Sequence, residues 1–511
     1  MCRSNNMIKN VLFIQPFEFF KKQLSYEILI WPIYLENFLK SKNSALNFDI
    51  LYLPVEQKKG NLNIQDIGSN NNNFPNEMNK LIEQLEFQLD EECLICISGT
   101  TSNQFISSKI LGGFFQKNYN PAILVFGGAH ASACPNDFKY KGSPMDYIIT
   151  GEGEIALYKL IDNNTKKQDQ PKRILGDPLE NLDTLPPLDF TLFDKYIKNF
   201  NHISISLSRG CPFNCRFCME KTISENSKHL RRWRSYSPKR AIKEIKVMIE
   251  YGYNNGITEF GFYDPIFGLQ KKWVNKLLDL FHFEEHKSIW LETRLDILNY
   301  DLLKRLQQKK FYLMYGLETF SHHLLYIMNK TSNPKRYLSK FKKIFKTNQE
   351  LEYPYILNIL FNHPGESLNS IRHTFEKINQ LKSQDTKDVI NYNIKLYSHF
   401  PGTFNYNHIN KLRNKLGTIN YIPQWWKTRE FLEFGSFSIR PTKSLSLRAS
   451  LTAFFREFEK FKERESKKIS PNSDDFFVRS IIVKTEIQKL KRMEENLTKF
   501  LNKYKIELNE T

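Results

Sequence analysis

Cysteine is scarce, with seven in 511 residues, and four of these (Cys2, Cys93, Cys96 and Cys134) fall at no spacing that suggests pairing. That scarcity excludes a disulfide-built scaffold and points to a reducing compartment, so a cytoplasmic protein is expected. Long hydrophobic runs are missing too. None approaches the roughly 18 residues a membrane helix needs, and the early run Val11–Ile14 stops at Gln15-Pro16, which reads as a strand rather than a secretory leader. No membrane insertion is expected. Acidic residues are in deficit, 55 Asp and Glu against 74 Lys and Arg, for a net charge of +19. A basic surface gathers phosphate. Outside the tail, however, the lysines are scattered and accompany abundant Asn, Ile and Phe, the drift of an AT-rich coding sequence, so nucleic acid is not the expected partner. The hydrophobic fraction of 41% is that of a water-soluble globular chain, and the length exceeds one core's usual reach, so two or three domains are expected.

The remaining three cysteines stand together. Arg209-Gly-Cys-Pro-Phe-Asn-Cys-Arg-Phe-Cys218 places Cys211, Cys215 and Cys218 at Cys-x3-Cys-x2-Cys spacing just after the apolar run His202–Leu207. Three thiolates on one loop make a metal site. Structural zinc takes four closed ligands and no second cysteine pair follows, whereas three thiolates on a 4Fe-4S cluster leave one iron open to substrate. Gly210 and Pro212 suit a loop that turns tightly around a cluster. Zinc completed by His202, or a chance cluster in a buried loop, are the alternatives. The motif resembles that of the radical S-adenosylmethionine enzymes, and Phe217, the aromatic before the last cysteine, fits the same pattern. The resemblance implies a 4Fe-4S cluster held by Cys211, Cys215 and Cys218 that reductively cleaves S-adenosylmethionine.

Residues 203 to about 400 repeat short apolar runs, each but the last followed by a helical stretch: Ile203–Leu207, Glu259–Tyr263, Ile289–Glu292, Phe311–Gly316, Tyr355–Leu360 and Val389–Tyr397. Six such units predict a partial β/α barrel, whose chemistry sits at the carboxyl ends of its strands. Those ends carry the cysteine loop, Asp264, Thr293-Arg294, Gly316-Leu-Glu318 and His363-Pro-Gly-Glu366. The family resemblance implies that Arg294 and Glu318 contact S-adenosylmethionine; an ion pair of Arg294 with Asp296 or Glu318 is the competing expectation. Asp264 stands near the family's glycine-rich second-strand motif without matching it, and Pro401-Gly-Thr403 also resembles the family.

Residues 8 to about 160 alternate the apolar runs Val11–Ile14, Phe48–Leu53, Cys93–Ile97, Ala122–Phe126 and Tyr147–Ile149 with amphipathic segments, which predicts a doubly wound parallel sheet. Ligands bind at the carboxyl edge of such a sheet. Here that edge carries Ser98-Gly99-Thr100, Gly127-Gly128-Ala-His130 and Gly151-Glu152-Gly153-Glu154, and Ser69–Asn73 reads as a loop. Ahead of a Cx3Cx2C barrel, the GGxH turn and the D-x-I-x-x-GEGE stretch (Asp146–Glu154) resemble the cobalamin-binding domain of cobalamin-dependent radical S-adenosylmethionine enzymes. The resemblance implies that these strand ends contact cobalamin, His130 among them through the corrin or its tail. The D-x-H-x-x-G element that supplies a histidine to cobalt elsewhere is absent, Gln15-Pro-Phe-Glu18 standing after the first strand, so cobalt without a protein histidine is expected.

The expected architecture is thus α/β. A cobalamin-binding Rossmann-like doubly wound domain covers residues 1–165, a linker with Leu185-Pro-Pro-Leu188 covers 166–200, and a partial (β/α)6 radical S-adenosylmethionine barrel covers 201–405. A mostly helical region follows over 406–511, with amphipathic stretches at 443–465 and 474–508 read as a cap on the barrel. Trp425-Trp426 reads as core. The family resemblance implies methylation of an unactivated carbon on a peptide or small-molecule substrate, with an electron from a reductant such as flavodoxin or ferredoxin. Cyclisation or ring rearrangement without methyl transfer is the alternative within the family, and a cobalamin- or RNA-binding module the alternative outside it. A methylthiotransferase would need a second cysteine trio, which Cys93, Cys96 and Cys134 do not supply.

Overall fold

The computed structural model describes residues 7–19, 27–68, 72–163, 165–225, 233–283, 288–467 and 476–506. Of the expectations above, the loop at Ser69–Asn71 and the ends of the 474–508 stretch lie outside the described residues.

The first sheet holds β1 (Asn10–Gln15), β3 (Asn47–Tyr52), β4 (Cys93–Ser98), β5 (Ile123–Gly127), β6 (Tyr147–Thr150) and β7 (Lys172–Leu175), all parallel, in the order β3-β1-β4-β5-β6-β7. Every residue of β1, β4 and β6 is buried. A parallel sheet covered on both faces demands this, and the apolar runs of the sequence reflect it. β7 falls in the stretch expected as a linker. Its four residues are half-buried or exposed, the composition of an edge strand, so no apolar run announces it.

The second sheet is also parallel, running from the strand Ile390–Leu396 at one edge to Glu27–Ile28 at the other. It comprises β8 (His202–Ile205), β11 (Glu259–Phe262), β12 (Ile289–Thr293), β13 (Phe311–Glu318), β14 (Tyr355–Phe361) and β15 (Ile390–Leu396). These are the six barrel strands expected from the sequence. β2 (Glu27–Ile28), from the first segment of the chain, adds a seventh by pairing with β8. It covers an edge that would otherwise expose unpaired backbone groups, and two residues are too short to leave a periodic signal. Along β13 the buried positions Phe311, Leu313, Tyr315 and Leu317 alternate with half-buried Tyr312, Met314 and Gly316, and β14 alternates in the same way. One face of each strand therefore packs under helices while the other lines a partly open interior.

The helix Leu447–Lys467 lies against the barrel: the Phe454 ring sits 5.3 Å from Phe361 in β14 and 6.2 Å from Phe375 in the helix Leu368–Gln384. It covers the barrel wall. Trp425 and Trp426 are buried, Trp425 donating to the His399 carbonyl at 3.1 Å and Trp426 to Asp137 Oδ2 at 2.5 Å, so the pair joins the C-terminal region to both sheets. Among the described residues no helix is long and apolar enough to cross a membrane.

Candidate active site

The cysteine loop leaves β8 through β9 (Ser208–Arg209), which pairs antiparallel with β10 (Arg234–Ser235). Asp264, at the end of β11, fixes this exit by accepting from the Leu207 amide at 3.2 Å and from the Ser208 hydroxyl. Burial pushes its carboxyl up to about 7. Gly210 then turns with φ of +81°, a conformation glycine adopts without cost. Beyond it the loop is tied down from outside. Arg216 donates its amide to Met328 O (2.9 Å) and its guanidinium to Ile327 O (3.0 Å), Asn329 donates to Asn214 O (2.8 Å), and the Asn405 amide bonds Arg216 O (3.1 Å).

All three thiols are half-buried, and burial pushes those of Cys211 and Cys218 up, Cys218 to about 12. Three cysteine donors at Cys-x3-Cys-x2-Cys spacing on one loop are the donor set that a cubic iron-sulfur cluster takes with one iron left open.

Arg294 lies beside this loop. Its Nη1 reaches Cys215 Sγ at 3.5 Å, its plane stacks on the Phe213 ring at 3.8 Å, and Nε and Nη2 clasp Asp296 at 2.9 and 2.8 Å. Burial works against its charge, but Asp296 outweighs burial and raises its proton affinity further. The ion pair anticipated for Arg294 is therefore formed, with Asp296 as partner, and it aims the guanidinium at the loop. Phe217 meets the His363 ring edge-on at 6.2 Å.

Glu318 ends β13 at a register shift against β14 and takes φ of +75°, rare for a residue with a side chain. Such strain collects where a side chain must be aimed. Its Oε1 accepts from Lys330 Nζ at 2.9 Å inside the fold, and a Cβ on Gly316 would come within 2.6 Å of that oxygen, so glycine there leaves the carboxylate its room. Glu366, by contrast, is fully buried and accepts from the Asn362 amide (2.9 Å) and Ser370 hydroxyl (2.6 Å). Burial pushes its carboxyl up to about 7. It works as a helix-start brace.

The carboxyl edges of the two sheets face one another across a cavity of about 340 Å³. Ser98, Gly127, Gly128, Gly151, Glu152 and Gly153 line it from the first sheet, and Ser208, Arg209, Gly210 and Tyr263 from the barrel. Gly210 adjoins Cys211, so the cavity reaches the cysteine loop. Three of the residues anticipated at the first sheet's edge stand off it, as do Phe217, Arg294, Glu318 and the three cysteines. Gly99 packs against the Phe126 ring, Thr100 bonds Gln104 Oε1 through its amide and hydroxyl, and His130 is turned into the protein, bonded to Ser102 Oγ at 2.9 Å. A second cavity is lined by Cys215 and Cys218 together with Arg216, Lys221, Asn329 and His408.

A buried ionic network crosses the first cavity's wall. Arg209 donates Nη1 to Glu152 Oε2 (3.0 Å) and Nη2 to Glu154 Oε1 (2.7 Å), and Arg234 clasps Glu152 from β10. Burial alone would raise the Glu152 carboxyl, but the two guanidinium groups hold it below the ordinary carboxylate range. Glu152 and Glu154 thus join the first sheet's glycine loop to the residue that opens the cysteine loop. No sequence motif marks Arg234 or Lys330, and Arg209 is marked only by its place. The position of Arg209, immediately before Gly-Cys, was the available signal for one of them; Arg234 follows 16 residues after Cys218 with no local pattern to flag it.

Residues 205–378 match the radical SAM superfamily. The chain thus carries a radical SAM domain. The match begins on β8 and takes in the cysteine loop, Arg294, Glu318 and Glu366. An uncharacterized methyltransferase of Pyrococcus horikoshii is 24% identical over 61% of this chain and 68% of its own length. The anaerobic magnesium-protoporphyrin IX monomethyl ester cyclase of Synechocystis is 26% identical over 32% of this chain and 35% of its own. Among solved structures, the radical S-adenosylmethionine methyltransferase TsrM from Kitasatospora setae, with cobalamin and a [4Fe-4S] cluster bound, superposes with a TM-score of 0.55 at 13% identity, covering 81% of this chain and 77% of that one. That likeness extends the expected fold, a doubly wound sheet ahead of a radical SAM barrel, to most of the chain.

Proposed function

We propose that this radical SAM enzyme uses a 4Fe-4S cluster, S-adenosylmethionine and cobalamin to methylate an unactivated carbon of a peptide or small molecule. The observation that carries the reading is the single cavity onto which the carboxyl edge of the first sheet and the cysteine-loop end of the barrel both open. Radical chemistry and methyl delivery must meet at one substrate carbon, and a shared cavity provides that proximity. When bound, the cluster with S-adenosylmethionine supplies a carbon-centred radical and the corrinoid supplies the methyl group. In this chain Cys211, Cys215 and Cys218 would hold the cluster, and the strand-end glycines Gly127, Gly128, Gly151 and Gly153 would let a corrinoid lie close to the backbone. Among the described residues that line the cavity there is no histidine, which supports cobalt that has no imidazole from the protein. Arg209 and Glu152 tie the two halves of the site in register. The basic cavity of Arg216 and Lys221 beside Cys215 and Cys218 supports the approach of a one-electron donor such as flavodoxin or ferredoxin, and an oxygen-sensitive cluster with such a donor supports a cytoplasmic location.

The matched methyltransferase and the matched cyclase mark the two outcomes to separate. Cluster-loaded protein given hydroxocobalamin, S-adenosylmethionine and an excess of a strong one-electron reductant that brings the cobalt to its nucleophilic state is expected to form S-adenosylhomocysteine, as the cobalt takes the methyl group, beside 5'-deoxyadenosine from reductive cleavage. Deoxyadenosine with no S-adenosylhomocysteine would replace methyl transfer by ring formation or rearrangement.

Glu318 is proposed to hold the amino group of S-adenosylmethionine, the role that Lys330 Nζ fills against its Oε1 in this structure. Glu318→Gln is expected to weaken S-adenosylmethionine binding by roughly tenfold to a hundredfold, the worth of one charged hydrogen bond, with the cluster absorption unchanged. Loss of iron from the variant would reassign Glu318 to holding the fold together through Lys330.

A further inference from the structure

His130, Cys134 and Asp137 stand apart from both cavities, where the helix Ala129–Ala133 passes into the turn Pro135–Asp137. Backbone bonds from Cys134 N to His130 O (2.8 Å) and from Asp137 N to Cys134 O (3.0 Å) wind the His-x3-Cys-x2-Asp spacing into successive turns. The three side chains offer one nitrogen, one sulfur and one oxygen, all within 4.8 Å of one another. His130 is fully buried, and with Nδ1 engaged by Ser102 Oγ its Nε2 is a buried nitrogen that makes no hydrogen bond. Such an atom calls for an explanation.

The distances suggest one. His130 Nε2 faces Asp137 Oδ2 at 3.4 Å. Two ligands each about 2.0 to 2.1 Å from a tetrahedral zinc stand about 3.3 to 3.4 Å apart, so the separation matches one edge of a coordination tetrahedron. The supporting contacts also follow the pattern of a metal site, in which outer partners fix the ligands. Ser102 Oγ sets the imidazole ring, Trp426 Nε1 donates to Asp137 Oδ2 at 2.5 Å, and Lys427 Nζ lies 2.7 Å from Oδ1.

We propose that His130 Nε2, Cys134 Sγ and Asp137 Oδ2 bind a divalent borderline metal, zinc foremost, with water in the fourth position. As the metal–sulfur bond forms, the Cys134 thiol releases its proton to solvent, and thiolate and carboxylate together balance the two positive charges. The metal is a clasp. It fastens the turn that follows Gly127–Gly128, on the cavity wall, to Trp426 and Lys427 of the C-terminal region. It is separate from the iron-sulfur cluster and uses none of its cysteines.

The test uses the full chain with its cluster already assembled, so that the cluster thiolates are occupied. Zinc sulfate is added, excess is removed by gel filtration, and metal content is measured beside zinc K-edge absorption. The expected result is one zinc per chain in addition to the cluster iron, with one sulfur neighbour near 2.3 Å and the rest nitrogen or oxygen. Cys134→Ser should lose the sulfur neighbour and weaken zinc binding at least tenfold, with its circular dichroism and iron content unchanged. No retained zinc in the parent protein would overturn the proposal. So would zinc with three sulfur neighbours and a matching loss of iron, which would place it in the cysteine loop, or binding untouched by Cys134→Ser.

Discussion

Cys215→Ala is expected to abolish S-adenosylmethionine cleavage, a loss of more than a thousandfold that no reductant restores. Three thiolates are the fewest that hold a cubic cluster with one iron open, so removing one frees a second iron and the cluster is lost rather than weakened. Cys215 is also the thiol that Arg294 reaches at 3.5 Å, and its neighbours Asn214 and Arg216 carry the bonds that pin the loop to residues 327–329. Those anchors are backbone and side-chain contacts that alanine keeps, so the fold should survive while the metal does not. Parent protein reconstituted without oxygen should carry about four irons and four sulfides per chain, and the variant should show neither that content nor the broad visible absorption. Cleavage that persists at a tenth of the parent rate or better would remove Cys215 from the ligand set, and zinc in place of iron in the parent would remove the cluster itself.

How far the sequence carries the structure depends on what each feature leaves in the chain. The buried strands were legible because a parallel sheet with helices on both faces writes apolar runs such as Val11–Ile14 and Ala122–Phe126 directly into the sequence. The cysteine loop was legible because its three cysteines lie within eight residues of one another. β2 and β7 were not: one is two residues long, the other an exposed edge, and neither carries a period. The ionic network was hidden for another reason. Glu152 is 57 residues from Arg209 and 82 from Arg234, and no local pattern records a contact made only when two sheets face each other. His130 shows the opposite failure. The GGxH turn drew attention to it as a cavity residue, yet only the glycines reach the cavity while the imidazole points back toward Ser102, Phe105 and Trp426.

The same contrast between neighbouring glycines selects the probe for cobalamin. Gly128 has φ of +92°, and a Cβ there would lie 2.7 Å from Ser98 Oγ and 2.8 Å from Gly99 O, so a bulky residue would damage the turn as well as the cavity. Gly127 lines the same cavity, has no positive φ, and a Cβ built on it meets nothing within 4 Å. A side chain at 127 therefore occupies ligand space without forcing the backbone. Gly127→Leu is expected to cut retention of hydroxocobalamin through desalting at least tenfold while iron content and thermal midpoint stay at the parent values; Gly128→Leu should lose corrinoid and stability together. Normal retention by Gly127→Leu would move the corrinoid elsewhere, and no retention by the parent would leave an adenosyl-radical enzyme without cobalamin. Where the parent does retain it, the cobalt(II) form should show no nitrogen splitting from an axial imidazole in electron paramagnetic resonance, because the described residues of the cavity wall offer none. Cobalt without that ligand favours the reduced, nucleophilic state that takes a methyl group from S-adenosylmethionine, so a split signal would count against methyl transfer as well as against the ligand assignment.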